Sequence, residues 1–571
     1  MSDMTNYSRE AGMLVPLWTL SHEGDFGIGD IKSLRSFLPW VQKAGLKFLQ
    51  LLPINETDDT NSPYSAISSI AIDPVYLDLT LIPGVPKRSA DQAGGERDFV
   101  DYPKVRAEKD ALLREAFQTY LSHTPFDSSF TAFQEREEEW LPSYSLYRWL
   151  MHLEGGHPNW AEWSEDYNTP DKAREWSEAQ LSDSGAHNVN EVLYYEWLQW
   201  HCEMQWKSVR KEADALGVKL MGDIPVGVSY NSADVFFEPE NFDFNWFGGA
   251  PPETFFKDDE FAIKWGQNWG VPLYNDEYLR ESNFAWWRRR VRKHTEIFSM
   301  FRIDHILGMY RFYSFPWHPS RNEEFLPLNE EQAMSHTEGR LPQFLPFSDA
   351  TEEGRRTNLQ RGKEFIAVIQ EAAGEAEIIA EDLGVTPDYV RPHLEESKIS
   401  GFRICQWEAD PESGMPLATE LYPYYSYATF ATHDHPPFKA LWEEARLKVL
   451  DRKQTDNEDA KRTLQTLHAS QATAPAQLLE VGRRVPAYDE ALLWNALEYL
   501  FKTNSKYTGF MITDLLSDEE RFNTPSTVGD HNWTYRIYHA VEEFYTDPEL
   551  IELQRELSTR IALFRSSPAL V

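Results

Sequence analysis

"FRIDHILGMYRFYSFP", residues 301–316, is the stretch on which the reading of the whole chain turns. It is an apolar run that places Arg302, Asp304 and His305 where a buried strand should end. The preceding "AWWRRRVRKHTEIF" (285–298) repeats Trp287, Val291, His294 and Phe298 every three or four residues, which predicts a helix leading directly into that strand. A helix feeding a continuous apolar strand is the repeating half of a parallel α/β fold.

Working outward, seven more short apolar runs have the same character: "GMLVPLWTL" (12–20), "KFLQLLP" (47–53), "VKLMGDIPV" (218–226), "AEIIAEDLG" (376–384), "ISGFRICQWE" (399–408), "YATFATHDH" (427–435) and "GFMITDLL" (509–516). Their hydrophobicity is continuous rather than alternating, the pattern of parallel strands buried on both faces. Helical patterns lie between them. Asp30 is placed to cap a segment in which Ile31, Leu34, Leu38 and Val41 share one face before Gly45 ends it. Eight such units predict an α/β chain folded as a (β/α)8 TIM barrel. The spacing is uneven, so the single catalytic domain, 1–571, is expected to carry large, mainly helical insertions on its loops. These fall at 80–215 between strands two and three, at 309–370 between four and five, and at 436–508 between seven and eight. No separate C-terminal β domain is expected.

Composition narrows the function. Against 92 Asp and Glu stand 55 Lys and Arg, a formal charge of −37 with no long basic run, which argues against nucleic acid and anionic membrane as partners. Cys202 and Cys405 are the only cysteines, too few for a disulfide framework or a cysteine zinc site. Without a signal-peptide pattern or a long apolar span, the reading is a cytoplasmic protein. The 20 tryptophans suit stacking on the flat faces of sugar rings, although most aromatic side chains in a large protein simply fill its core.

In a barrel of this kind the C-terminal strand ends converge on one mouth. Arg302 and Asp304 are two apart and face the same side, so the guanidinium can hold the aspartate ionised, while His305 faces away. Asp304, Glu381 of "IIAEDLG" and Asp434 of "ATHDH" all occupy such strand ends. Two carboxyl groups about 5–5.5 Å apart suffice for glycosyl transfer with retention, one as nucleophile and one as acid and then base. Alone, Arg302 with Asp304 reads equally well as a structural ion pair, whereas Glu381 with Asp382 reads better as an acidic loop and His433 with Asp434 better as a structural hydrogen bond or exposed turn. Joint placement at strand ends favours catalysis.

Taken in order, "LPWVQKAGLKFLQLLPI", "NSPYSAISSIAIDPVYLDL", "GDIPVGVSYNSADVF", "GAPPETF" with "GQNWGVPLYN", "FRIDHILG", "IIAEDLGV", "ATHDH", and "FNTPST" with "NWTYR" span most of the chain. In this series the sequence resembles the 4-α-glucanotransferases of glycoside hydrolase family 77, also called amylomaltases or disproportionating enzymes. The resemblance implies Asp304 as nucleophile, Glu381 as general acid/base and Asp434 as transition-state stabiliser. It implies sugar-binding roles for Tyr64, Asp223, Trp269, Arg302 and His433; His435, which the family pattern does not supply, is read as a further substrate-binding residue beside the stabiliser on the acceptor side. It implies no organic cofactor, no catalytic metal, and α-1,4-glucans, maltooligosaccharides and glucose as partners. Hydrolysis by the same carboxylates, or glucan binding without catalysis, are the competing functions. Sequence leaves the oligomeric state open. The chain departs from the family pattern where His435, Pro436 and Pro437 replace the usual Asn after the third carboxylate, where "KDDEFAIKW" (257–265) lengthens a loop, and at Ser526 and Asp73, which stand for Gly and Asn.

Overall fold

The computed structural model describes residues 7–86, 98–122, 127–183, 186–253, 259–414, 416–450, 487–525, 527, 529 and 531–569. Eight parallel strands close into a barrel: β1 (Glu10–Leu14), β2 (Phe48–Gln50), β3 (Lys219–Ile224), β6 (Met300–Ile303), β9 (Glu377–Ala380), β10 (Ser400–Ile404), β11 (Ser426–Thr429) and β12 (Tyr507–Met511). Each of the eight apolar runs holds one of them or most of it. Neighbours pair in register, with Arg302 opposite Asp223 on one side and Ile379 on the other.

Alternate residues fill the barrel. Phe48, Met221, Met300, Ile379, Phe402, Ile404, Tyr427 and Tyr507 form one buried cluster. The intervening residues pack outward on helices, and there the strand must be thin where a helix comes close. Gly222 shows the constraint: a Cβ at this position would lie 2.3 Å from His294 Nε2 and 2.6 Å from Phe298. We expect Gly222→Ala to destabilise the protein by about 1–3 kcal/mol in denaturant unfolding, through overpacking between β3 and the helix Ala285–Thr295. The first connecting helix, Ile31–Lys43, begins in a reciprocal capping box between Asp30 and Ser33, and Gly45 follows it with a φ of +81°.

Between β2 and β3 the described residues form long helices, among them Tyr102–Leu121, Leu141–Leu153 and Ala186–Leu216. Arg106 from the first of these makes a two-pronged ion pair with Asp73, at 3.0 and 2.8 Å. The carboxylate that departs from the family pattern thus ties the helical insertion to the segment after β2. Of the stretch 436–508, residues 451–486 lie outside the described residues; the helices Phe438–Leu450 and Glu490–Lys502 flank them. Part of "KDDEFAIKW", and Ser526, also lie outside them. Beyond β12 the described residues contain helices and no strand.

The expectation of mainly helical insertions omitted one feature. Four more strands, β4 (Phe242–Ala250), β5 (Gln267–Tyr274), β7 (Phe312–Phe315) and β8 (Gln343–Leu345), form a second, antiparallel sheet in the order β5-β4-β7-β8. Thus the second half of the opening stretch is not barrel at all: after β6 the chain turns through Ile306–Met309 and enters this sheet. The sheet was hidden because β4 pairs with shifts in register between Asp243 and Phe247 and again between Gly248 and Gly249, which breaks the period-two pattern.

Candidate active site

The hydrogen-bond ladder of the barrel continues one step beyond its strands. Asp304 N–H donates to the Ile224 carbonyl, Glu381 N–H to the Ile303 carbonyl, and Ile306 N–H to the Glu381 carbonyl, each at 3.0 Å. These bonds bring the ends of β3, β6 and β9 level, so Asp223, Asp304 and Glu381 meet. His305, at φ +40°, turns the chain away from the barrel and aims its own N–H at Glu381 Oε2, 2.8 Å away. Its ring packs edge-on to Trp269, with centroids 5.1 Å apart.

Arg302 is the hub. It is buried, and it donates from Nη1 to Asp223 Oδ2 at 2.6 Å and from Nη2 to Asp304 Oδ1 at 2.6 Å. The second nitrogen also lies 3.9 Å from Glu381 Oε2. Tyr64 donates its hydroxyl to Asp223 Oδ2 at 2.8 Å and lies almost parallel to the His433 ring, at 5.3 Å and 17°. Those five side chains and His433 therefore form one connected group.

Asp434 is held from the opposite wall. Asn523 Nδ2 donates to its Oδ1 at 2.7 Å, His433 Nε2 lies 3.3 Å from its Oδ2, and Arg521 donates to its backbone carbonyl at 2.6 Å. His435 turns aside: its Nδ1 lies 2.8 Å from Thr432 Oγ1 and accepts from Thr432 N–H at 3.3 Å, and its ring meets Trp407 edge-on. That backbone bond assigns the ring proton to Nε2. Trp269 is 40 % exposed on β5 and Trp407 is 52 % exposed after β10. Sequence reasoning named neither Asn523, Arg521, Trp407 nor Trp533 as site residues, the last with its ring 6.0 Å from that of Tyr64 and 5.9 Å from that of His433. Asn523 and Trp533 sit in "FNTPST" and "NWTYR", which were recognised as motifs but carried no charge pattern to give them a task.

Three carboxyl groups around one guanidinium cannot all ionise cheaply away from water. Burial pushes Glu381 up to about 7; Arg302 and the N–H groups of Leu383 and His305 oppose it, and Asp304 adds to it. Burial likewise pushes Asp223 up to about 7, with Arg302 pulling down and Asp304 pushing up. Asp434 moves the other way: burial would raise it, but His433 and the Asn523 amide outweigh burial and hold it below the usual carboxylate range. Burial also lowers His433, and brings His435 down to about 4, so both rings are neutral at neutral pH. The site thus holds two buried carboxyl groups poised to keep a proton near neutrality, Glu381 and Asp223, beside two more exposed acidic side chains, Asp304 at 24 % and Asp434 at 40 %.

One group of three carboxylates among the described residues, Glu137, Glu203 and Glu296, is close enough to hold a cation. Arg136, Lys207 and Lys293 already pair with it. Local charge is therefore largely balanced without a metal.

Residues 15–541 match the family model described as 4-alpha-glucanotransferase, glycoside hydrolase family 77. The chain belongs to this family. A 4-alpha-glucanotransferase of Chlamydia pneumoniae is 29 % identical over 94 % of this chain and 93 % of its own, and one of Thermus thermophilus is 26 % identical over 93 % and 95 %. Among solved structures, an amylomaltase from Streptococcus agalactiae in complex with acarbose matches with a TM-score of 0.75 at 22 % identity, covering 97 % of this chain and 99 % of that one. That likeness shows the fold, an amylomaltase-type TIM barrel. No helix among the described residues is long and apolar enough to cross a membrane.

Proposed function

We propose that this family-77 4-α-glucanotransferase moves α-1,4-glucan segments between maltooligosaccharides by double displacement. Asp304 attacks the anomeric carbon while Glu381 protonates the departing 4-oxygen, leaving a covalent glycosyl-aspartate; Glu381 then takes the proton from the 4-hydroxyl of an acceptor sugar, which displaces Asp304. The observation that carries this reading is the Arg302 guanidinium shared by Asp304 at 2.6 Å and Glu381 at 3.9 Å. Contact of both carboxyl groups with one nitrogen suits the close spacing of about 5–5.5 Å used for retention, not the wider gap that admits a water between them.

Each remaining residue has a task in this scheme. Arg302 keeps the Asp304 oxygens oriented, and ionised Asp434 faces the positive charge that builds on the sugar ring in the transition state. Tyr64 offers its ring to the reacting glucose, held in place by Asp223 and His433. Trp269 provides an exposed apolar face for the donor chain, and glucose is the smallest acceptor. Whether sugar or water ends the cycle depends on acceptor positioning, which the same carboxylates do not set.

Incubation with maltotriose tests the reading. Glucose and longer oligosaccharides should appear together while total reducing ends stay constant; rising reducing ends would assign the site to hydrolysis instead. His435→Asn should leave the overall rate on maltotriose within roughly tenfold of the parent, because the ring makes its hydrogen bonds with Thr432, yet shift the acceptor preference. Unchanged ratios of products from competing glucose and maltose acceptors would remove His435 from the acceptor side.

A further inference from the structure

Between β10 and β11 the barrel lacks its usual cover. Among the described residues of 405–425 there is no α-helix, only the short turn Thr419–Leu421. The outer face of β10 is consequently open to a cavity of about 330 Å³, the scale of small-molecule sites, which run from about 300 Å³. Because Phe402 and Ile404 point into the barrel, Gly401 and Arg403 point outward, and both line this cavity. Gly401 keeps it open: a Cβ here would lie 2.9 Å from Asp382 Oδ1.

The lining is unlike the apolar seam between a barrel and its helices. Asp382 is fully buried and receives Arg391 Nε at 3.0 Å and Arg403 Nη1 at 3.2 Å, both on Oδ2. Its Oδ1 is buried and accepts no hydrogen bond. Glu395 and Glu408 add carboxylates to the same wall, while Leu417 and the Tyr425 ring supply an apolar face. Three carboxylates against two guanidinium groups disfavour an anion. Interleaved donors and acceptors beside a flat apolar surface suit a neutral polyol with one apolar face.

We propose that this cavity is a second saccharide site, outside the catalytic mouth, for a single neutral pyranose. Its chemistry does not depend on the proposed reaction, although the choice of D-glucose as ligand rests on that reading. The site also lies directly behind the catalytic centre. Asp382 stands between Glu381 and Leu383, whose N–H donates to Glu381 Oε1 at 2.8 Å, so a sugar that engages Arg391, which donates to Asp382, bears on the peptide that orients Glu381.

The test is amide hydrogen exchange on the full chain carrying Asp304→Asn, so that no turnover occurs, with and without D-glucose. Glucose should slow exchange in residues 417–425, and the added pair Glu408→Ala and Tyr425→Ala should abolish that effect. In an otherwise unaltered chain the same pair should leave the initial rate on maltotriose unchanged. No glucose-dependent slowing at 417–425, or slowing that survives the paired substitution, overturns the proposal. The first of these outcomes is read without the paired variant, so it stands even if that variant misfolds. Disproportionation of maltotriose is scored separately, and its failure would remove the proposed reaction while leaving the exchange result to judge the cavity.

Discussion

Asp304→Asn will fold with unchanged far-ultraviolet circular dichroism and lose maltotriose disproportionation by about 10⁴-fold or more, the scale on which deletion of a covalent nucleophile acts. The fold should survive because Asp304 is anchored by its backbone, its N–H donating to Ile224 at 3.0 Å, while its side chain is partly exposed. Asparagine keeps the shape and can still accept from Arg302. It cannot form the ester with the anomeric carbon. The loss should fall on kcat, since the proposed sugar contacts of Tyr64 and Trp269 are untouched, and KM for maltotriose should change far less. Retention of more than about a hundredth of the parent activity would reject Asp304 as nucleophile and with it the double displacement.

The barrel was legible for a physical reason. A strand covered on both faces must be apolar at consecutive positions, so "KFLQLLP" or "VKLMGDIPV" announces itself without alignment. The half-covered strands of the second sheet had no such signature, and "GQNWGVPLY", with two glycines and a proline, reads as a loop although most of it is β5. The site was legible in the same uneven way. Charged residues at the end of an apolar run stand out, which marked Arg302, Asp304, Glu381 and Asp434. The pairing of Arg302 with Asp304 followed from their spacing and is present at 2.6 Å, although the strand itself ends at Ile303. What spacing could not show was the third dimension. Asn523 reaches Asp434 across 89 positions of chain, and the groups that fix both oxygens of Glu381 are backbone N–H donors, which every residue but proline possesses.

Glu381 carries the second large expected effect, and two independent measurements bear on it. Glu381→Gln should slow transfer from maltotriose by roughly 10²–10⁴-fold, the usual contribution of general acid–base catalysis. α-Glucosyl fluoride, whose leaving group needs little protonation, should recover most of the first step in that variant, seen as faster glycosylation of the protein. Asp304→Asn should show no such recovery, so the two carboxyl groups are distinguished by chemistry and not only by rate. The parent's kcat/KM should fall above about pH 7 as Glu381 loses the proton it must donate. The same titration has a thermodynamic counterpart. With the carboxyl raised from 4.5 to about 7 on folding, the native state binds more protons than the unfolded chain between those values. Its contribution to stability is therefore full below pH 4.5 and lost as pH rises through 7. Glutamine does not titrate, and whatever offset its amide introduces opposite the His305 and Leu383 N–H groups is constant with pH. The melting temperature of Glu381→Gln minus that of the parent should therefore increase from pH 4.5 to about pH 7 and level off above it. A flat difference would mean that Glu381 is ionised throughout this range, and the structure's buried proton donor would have to be sought at Asp223, the other carboxyl that burial pushes up to about 7.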